Sequence, residues 1–434
     1  MQRLRIAVVG AGIAGMGAAW LLAEAHDVTL YEAASQPGGH SLTVDVATAG
    51  GSLPVDMGFI VYNPPAYPNL VALFRHLDVP TAASDMSFAV SLHDGALEYA
   101  GTDVARLFGQ TRNLVRPRFW AMLRDIVRFY REAEADIVGL DPDVSLGAYL
   151  AERGYGQSFV REHLLPMAAA IWSAPAARMA EYPALAFIRF CANHGLLKLR
   201  GRPQWRTVAG GSSTYVRRIT APLAGAMRLN CPVRAIRRLP EAVIVEADGI
   251  GSERYDHVVI ATHAPQARAL LQDPSDAEAA LLGAIGTSQN LAVMHRDPAL
   301  MPRRRTLWSS WNYLGGERPS VTYWMNRLQP LAGMGDVFVT LNPQHPPLPE
   351  TVIREEMFAH PMFDAAALRA QRDLWALQGQ RRTWFCGAWF GAGFHEDGLQ
   401  AGLAVAEAIG GVRRPWQVAA ESGRLPPRRQ ALAA

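Results

Sequence analysis

Apolar residues fill positions 4–9 (LRIAVV) with only Arg5 interrupting, the pattern of a strand covered on both faces of a parallel sheet. Over 13–25 they recur at helical spacing, and 27–32 (DVTLYE) returns to a strand pattern, so the chain opens on a strand–helix–strand unit. Helical patterns follow at 67–77, 113–135 and 158–171, cut by Gly and Pro where loops belong. Short strand patterns return between 205 and 262 (MRLNCPVRAIRRL, AVIVEA, HVVIAT), and aromatic, β-branched runs over 304–342 suit a curved antiparallel sheet. The stretch 383–410 reads as a strand (TWFCGAW), a glycine-rich turn and a helix (LQAGLAVAEAIG). This order predicts two discontinuous domains: one from 1–75, 205–272 and 380–411, the other from 76–204 and 273–379. The Pro- and Arg-rich segment 412–434 is expected to be disordered.

Length and composition sharpen that picture. With 434 residues, half of them apolar, the chain can fill two cores. A net charge of +3 argues neither for nor against nucleic acid, and no such partner is expected. Cys191, Cys231 and Cys386 lie far apart without metal or redox spacing, which suits a reducing compartment and a cytoplasmic location. No metal site is expected, because no two of the 12 histidines stand three or four residues apart. No stretch of eighteen residues is apolar and free of charge, so no membrane span is expected.

The candidate chemistry begins at the first turn. Gly10, Gly12 and Gly15 form GxGxxG between strand and helix, where glycines allow a tight turn, a close pyrophosphate and close helix packing. The helix N-terminus, with Ala14, then faces the phosphates, and Glu32 ends the next strand where an acid can hold a ribose hydroxyl. A second glycine turn, Gly38 and Gly39 followed by His40, and the VDMGF segment with Gly58 and Phe59 go beyond what a nicotinamide site requires. At the far end Gly387, Gly391, Gly393 and the HEDGLQAG run supply a second helix N-terminus able to approach a flavin. The predicted fold class is α/β, a Rossmann-like FAD-binding domain with an inserted α+β substrate domain.

These positions, with YDHVVIAT (255–262) and CPV (231–233), resemble the amine oxidase and phytoene desaturase superfamily of flavoproteins, whose FAD domain is of the glutathione-reductase-like type. DMGFIVYN, LLPMAAAIWSAP, RPQWRTVAGGS, VTYWMNRLQ and GFHEDGLQAGLAVAEA resemble most a bacterial amine-oxidase-like subgroup linked to fatty-acid modification, including a furan fatty acid desaturase. The resemblance implies an FAD cradle at Gly10, Gly12, Gly15, Glu32, Gly38, Gly39, Val233, Gly387 and Glu396, joined by Ala14, His40, Gly58, Phe59, Gly398 and Leu399. His40 stands where many relatives carry arginine. No glycine-cysteine-tyrosine signature is present, so the FAD is expected to be noncovalent. The lysine common in amine oxidation has no counterpart, since Lys198 is the only lysine.

His395 and Glu396 are the catalytic candidates, His395 either as a general base or as a hydrogen-bond partner of a backbone or cofactor oxygen. Tyr62, Trp311, Tyr313, Tyr323, Trp324 and Phe394 are expected either to line an apolar substrate channel or to fill the core. The expected activity is dehydrogenation of an activated fatty acyl chain of a membrane phospholipid, with electrons passing to oxygen, a quinone or a carrier. The alternatives are a carotenoid-type desaturase or amine oxidase, and a flavin- and lipid-binding protein without turnover. Residues 116–131 place Phe119, Trp120, Leu123, Ile126, Val127 and Tyr130 on one face beside Arg124, Arg128 and Arg131. That helix either packs on the core or, with Arg303 to Arg305, meets an anionic membrane surface on the cytoplasmic side. A homodimer is left open.

Overall fold

The computed structural model describes residues 3–316 and 319–426. Its first layer is a five-stranded parallel sheet in the order Thr383–Phe385, His257–Ile260, Arg5–Val9, Asp27–Tyr31, Met227–Arg228. Ile6, Ala7 and Val8 are fully buried, as a strand covered on both faces must be. Helix Ile13–Leu22 is buried along its whole length, between the sheet and the C-terminal helix His395–Ile409. Small residues set that spacing: a Cβ on Gly402 would stand 2.1 Å from the Ala14 carbonyl oxygen. This is the expected α/β architecture with an α+β portion inserted.

The inserted portion is built on a seven-stranded mixed sheet, in the order Val352–Pro361, Thr287–His295, Phe338–Leu341, Ser320–Trp324, Trp311–Leu314, Phe88–Leu92, Leu97–Ala100. Helices Pro117–Asp136, Leu165–Trp172 and Ala184–Asn193 share its core through Phe129, Ala169 and Phe187. The longest strand pair, Thr287–His295 with Val352–Pro361, has no counterpart in the predicted elements. Its outer member runs VIREEMFAHP, and such charged edges protect a sheet from further pairing while erasing the apolar alternation that reveals a strand.

Two domain assignments need correction. Leu282, Ile285, Ala367, Leu374 and Leu377 pack in the core of the parallel sheet, although they fall in 273–379; Val46, Val55, Met57 and Ile60 pack in the other core. Chain order cannot reveal which sheet a helix or hairpin covers. The second correction concerns 412–434, of which residues 427–434 lie outside the described residues. Residues 412–426 are packed rather than disordered. Buried Arg414 binds Glu407 through two hydrogen bonds of 2.7 and 2.9 Å, Trp416 stacks on Trp20 at 5.8 Å, and Arg424 pairs with buried Asp397 at 3.1 Å. Arg413, Arg414 and Arg424, part of what suggested a solvated tail, are matched by carboxylates of the C-terminal helix.

Asp56 clamps the two cores together. Its carboxylate accepts from Thr43 Oγ1, from Ser212 N and Oγ, and from Gln329 Nε2, while its own N–H donates to Gln329 Oε1. Burial pushes its carboxyl up to about 6, against the pull of those donors.

Candidate active site

The end of the first strand turns into helix Ile13–Leu22 through Gly10, whose φ of +101° is open to glycine. A Cβ on Gly15 would stand 1.8 Å from the Gly10 carbonyl oxygen, so the third glycine serves helix packing. A Cβ on Gly12 would meet nothing within 4 Å, and Gly12 borders a cavity of about 1170 Å³. Gly39, at φ +56°, brings the second glycine turn against the first, since its Cβ would lie 3.1 Å from Gly12 Cα. The Glu32 carboxylate accepts from Ala11 N at 2.7 Å and from Ala34 N at 2.9 Å, which fixes it at the cavity wall with lone pairs left for a ribose. Open space beside Gly12, a helix N-terminus and a held carboxylate fit a dinucleotide. Gly10, Gly12, Ala14, Glu32, Gly38, Gly39, His40, Gly58, Phe59, Val233 and Gly387 all line the cavity.

Besides Gly15, three expected cofactor residues do not. Gly398 and Leu399 meet the first helix, a Cβ on Gly398 lying 3.0 Å from Ile13 and Leu399 Cδ1 lying 2.9 Å from a Cβ on Gly17. Glu396 is fully buried, and its carboxylate accepts from Asn69 N at 3.0 Å, Asn69 Nδ2 at 2.9 Å, Leu70 N at 2.9 Å and Gln400 Nε2 at 2.9 Å. It caps helix Pro68–His76 as an anion at a helix N-terminus, which corrects both its catalytic and its cofactor assignment. Sequence spacing places a residue near a turn; it does not say which way the side chain leaves the helix.

His395 lines the cavity, and one of its ring nitrogens is engaged. Its Nε2 lies 2.9 Å from Ser41 Oγ and 3.1 Å from Tyr215 Oη, those two hydroxyls are themselves hydrogen-bonded, and Phe59 covers the ring at 3.7 Å. Burial lowers its pKa to about 3, so it is a neutral, fixed part of the wall.

Beyond the cradle the cavity is walled by apolar and aromatic side chains. Trp311 and Tyr323, paired across strands, and Phe394 are on that wall. Tyr62, Tyr313 and Trp324 are not, which corrects half of the expected channel. Trp324 alternates to the opposite sheet face from Tyr323 and donates its indole N–H to Asp336 at 3.1 Å; Tyr62 packs against Tyr67 and Phe74. Tyr313 shares Trp311's face but lies two residues further along the strand.

The structure also assembles histidines that no spacing suggested. His40 stacks on Phe358 at 5.0 Å and lies 5.3 Å from His360 and 6.0 Å from His263, ring to ring. His40 Nε2, His163 Nε2, Trp172 Nε1, His194 Nε2 and Trp311 Nε1 are buried without a partner, and all five residues line the cavity. Unpaired buried polar atoms are costly, so their concentration on one wall points to a bound group that satisfies them. The proton positions follow from the partners. His194 Nδ1 lies 3.0 Å from the Phe190 carbonyl, which only accepts, so Nδ1 carries the hydrogen and Nε2 a free lone pair. Tyr99 donates to the Glu162 carbonyl, so it must accept from His163 Nδ1, leaving His163 Nε2 in the same state. His360 is opposite: Leu291 N–H fixes Asn342, Asn342 fixes Asn290, and Asn290 Nδ2 donates to His360 Nδ1 at 3.1 Å, so Nε2 carries the hydrogen.

The basic helix and the cluster at 303–305 are partly paired within the chain. In helix Pro117–Asp136, Phe119, Met122, Ile126 and Phe129 are buried in the core, while Leu123, Val127 and Tyr130 border the cavity. Arg124 pairs with Asp125, Arg128 with Glu132, Arg304 with buried Glu98 and Arg305 with Asp336. Those four cations are matched within the chain, whereas Arg131 and Arg303 form no ion pair among the described residues.

Fold and cradle together define a dinucleotide-binding flavoprotein. Residues 13–295, more than half of the chain, match the family described as flavin containing amine oxidoreductase, and the chain belongs to that family. It is an FAD-dependent oxidoreductase. Cyclohexylamine oxidase from Brevibacterium oxydans superposes with a TM-score of 0.69 at 16% identity, covering 94% of this chain and 100% of the other. Putrescine oxidase gives 0.69 at 16% identity over 94% and 99%, and the CLA-producing fatty acid isomerase from P. acnes gives 0.68 at 16% over 94% and 98%. At these identities the likeness speaks for the fold. Among the described residues no helix is long and apolar enough to cross a membrane.

Proposed function

We propose that this chain dehydrogenates a hydrophobic substrate, an activated fatty acyl chain such as a methylated, unsaturated one. The observation that carries this reading is the cavity wall: among the described residues its only fully charged side chains are Glu32, in the cofactor cradle, and Arg202, and the rest is apolar, aromatic or neutral. An alkylammonium substrate would find no carboxylate beyond the cradle among the described lining residues. The one lysine, Lys198, is exposed and does not line the cavity.

FAD, when bound, supplies a two-electron acceptor for hydride. The apolar wall excludes water from the reacting carbon. His194 then accepts the second hydrogen as a proton on Nε2. Burial lowers its pKa to about 3, so it is neutral and a weak base. A weak base suffices when hydride leaves first, because the carbon next to an allylic cation is strongly acidic; it would not suffice to form a carbanion. The electrons leave afterwards to oxygen, a quinone or a carrier.

The test is anaerobic mixing of the yellow holoenzyme with unsaturated and methyl-branched acyl lipids and, separately, with aliphatic amines. Bleaching by the lipids and not by the amines is the expected result, and bleaching by amines alone would overturn it. His194→Gln should keep its flavin and slow bleaching by about a hundredfold or more.

A further inference from the structure

One exposed border of the cavity is formed by helix Pro117–Asp136 and the segment 198–202 (KLRGR). Leu123, Val127 and Tyr130 of the helix line it together with Leu199 and Arg202. Leu199 is 56% exposed, an isolated apolar side chain on a lip whose neighbours Lys198, Arg200 and Arg202 are exposed cations. Arg202 Nε donates to the Lys198 carbonyl at 2.7 Å, which anchors the side chain, and its charge bears on the Tyr130 hydroxyl and on His163. Unlike Arg124, Arg128, Arg304 and Arg305, it forms no ion pair with a carboxylate of the described residues. The cavity thus runs from an anion at Glu32, in the cradle, to an unmatched guanidinium at this border, with neutral walls between.

We propose that Arg202, flanked by Lys198 and Arg200, binds the anionic head group of an amphiphile, a carboxylate or a phosphodiester, whose chain passes Leu199 and Tyr130 into the cavity. A guanidinium suits either anion because its planar fork matches two oxygens at once. The inference rests on the acyl-substrate reading above and adds which end of the substrate stays at the surface. It also places an anionic contact apart from the paired Arg124, Arg128, Arg304 and Arg305, on a segment whose Arg202 borders the cavity.

Binding is read on the oxidised holoenzyme without turnover, using the fluorescence of cis-parinaric acid and of its methyl ester. The acid should bind about tenfold more tightly than the ester, and added salt should weaken the acid alone. Arg202→Gln should remove that preference by weakening the acid about tenfold, with ester binding, flavin content and melting temperature unchanged; Arg202→Lys should restore part of it. Displacement by oleate at the lower concentration would identify a carboxylate, and displacement by oleoyl lysophosphatidylglycerol a phosphodiester. Equal binding of acid and ester to the unaltered protein, or a preference that survives Arg202→Gln, would overturn the head-group site while leaving the acyl reading intact. Failure of both probes to bind would remove the acyl reading itself.

Discussion

The two ends of the cavity are built from different materials. At the cofactor end the wall is backbone: glycines in two touching turns, a helix N-terminus, and a carboxylate held by two main-chain N–H groups. At the substrate end it is side chains from several helices and strands, among them Tyr130, Met167, Phe190, Trp311 and Tyr323. A backbone site depends on conformations that only certain residues allow at fixed spacing. A side-chain site depends on which faces the tertiary packing turns inward. The first should fail sharply when a single Cβ is added, and the second should yield gradually.

The sharpest break is therefore expected at Gly15. With the Gly10 carbonyl oxygen 1.8 Å from where a Cβ would stand, Gly15→Val must displace the helix from the strand. We expect loss of bound flavin and a destabilisation of roughly 3 kcal/mol or more, visible in the flavin-to-protein absorbance ratio and in thermal melting. Glu32→Ala should weaken FAD retention about ten- to hundredfold without unfolding the chain, as read by gel filtration after dilution. Unchanged retention would mean that Glu32 serves only the glycine loop. Released by heat or acid, the flavin should come away intact, because the chain has no glycine-cysteine-tyrosine signature and buried Cys386, directly after strand Thr383–Phe385, does not line the cavity.

The pH response tests the substrate end. Burial holds His163, His194, His360 and His395 at about 4, 3, 4 and 3, and His295 at about 4. An unfolded histidine titrates near pH ~6.5, so between that pH and about 4 the unfolded chain binds protons the folded one refuses, and stability falls as pH falls. Asp56, raised to about 6, and Glu396, also raised, have the opposite sign and lose stability as pH rises above the usual carboxyl range. Five groups outweigh two, so the melting temperature should drop by several degrees, about 5 °C or more, between pH 7 and pH 5. A flat profile would mean that the buried histidines can charge in place. The smallest effect belongs to Trp324→Phe: it should cost about 1 kcal/mol through the lost bond to Asp336 and leave turnover unchanged, whereas Trp311→Ala should impair substrate binding.

The same contrast explains how much could be read from the chain. Gly10, Gly12, Gly15 and Glu32 are legible because their roles are local and fixed by spacing within one strand–helix–strand unit. His395 is legible as a wall residue, but not its engagement by Ser41 and Tyr215, which come from elsewhere in the chain. Glu396 misleads because its partners, Asn69 and Leu70, lie more than 300 residues away. His194, His263 and His360 could not be found by spacing, since three different elements bring them to the cavity. The segment 198–202 does not stand out in the chain, because three cations in a loop look like ordinary solvated surface; only the cavity beside them sets Arg202 apart.

The central claim is that the apolar end of this cavity takes an acyl chain and removes two hydrogens from it. Mass spectrometry of acyl lipids incubated with the holoenzyme and an electron acceptor tests this most directly. The account predicts chains two hydrogens lighter, formed only when the flavin is present and suppressed in His194→Gln. Unchanged lipids beside rapid conversion of an amine to its imine product would contradict it.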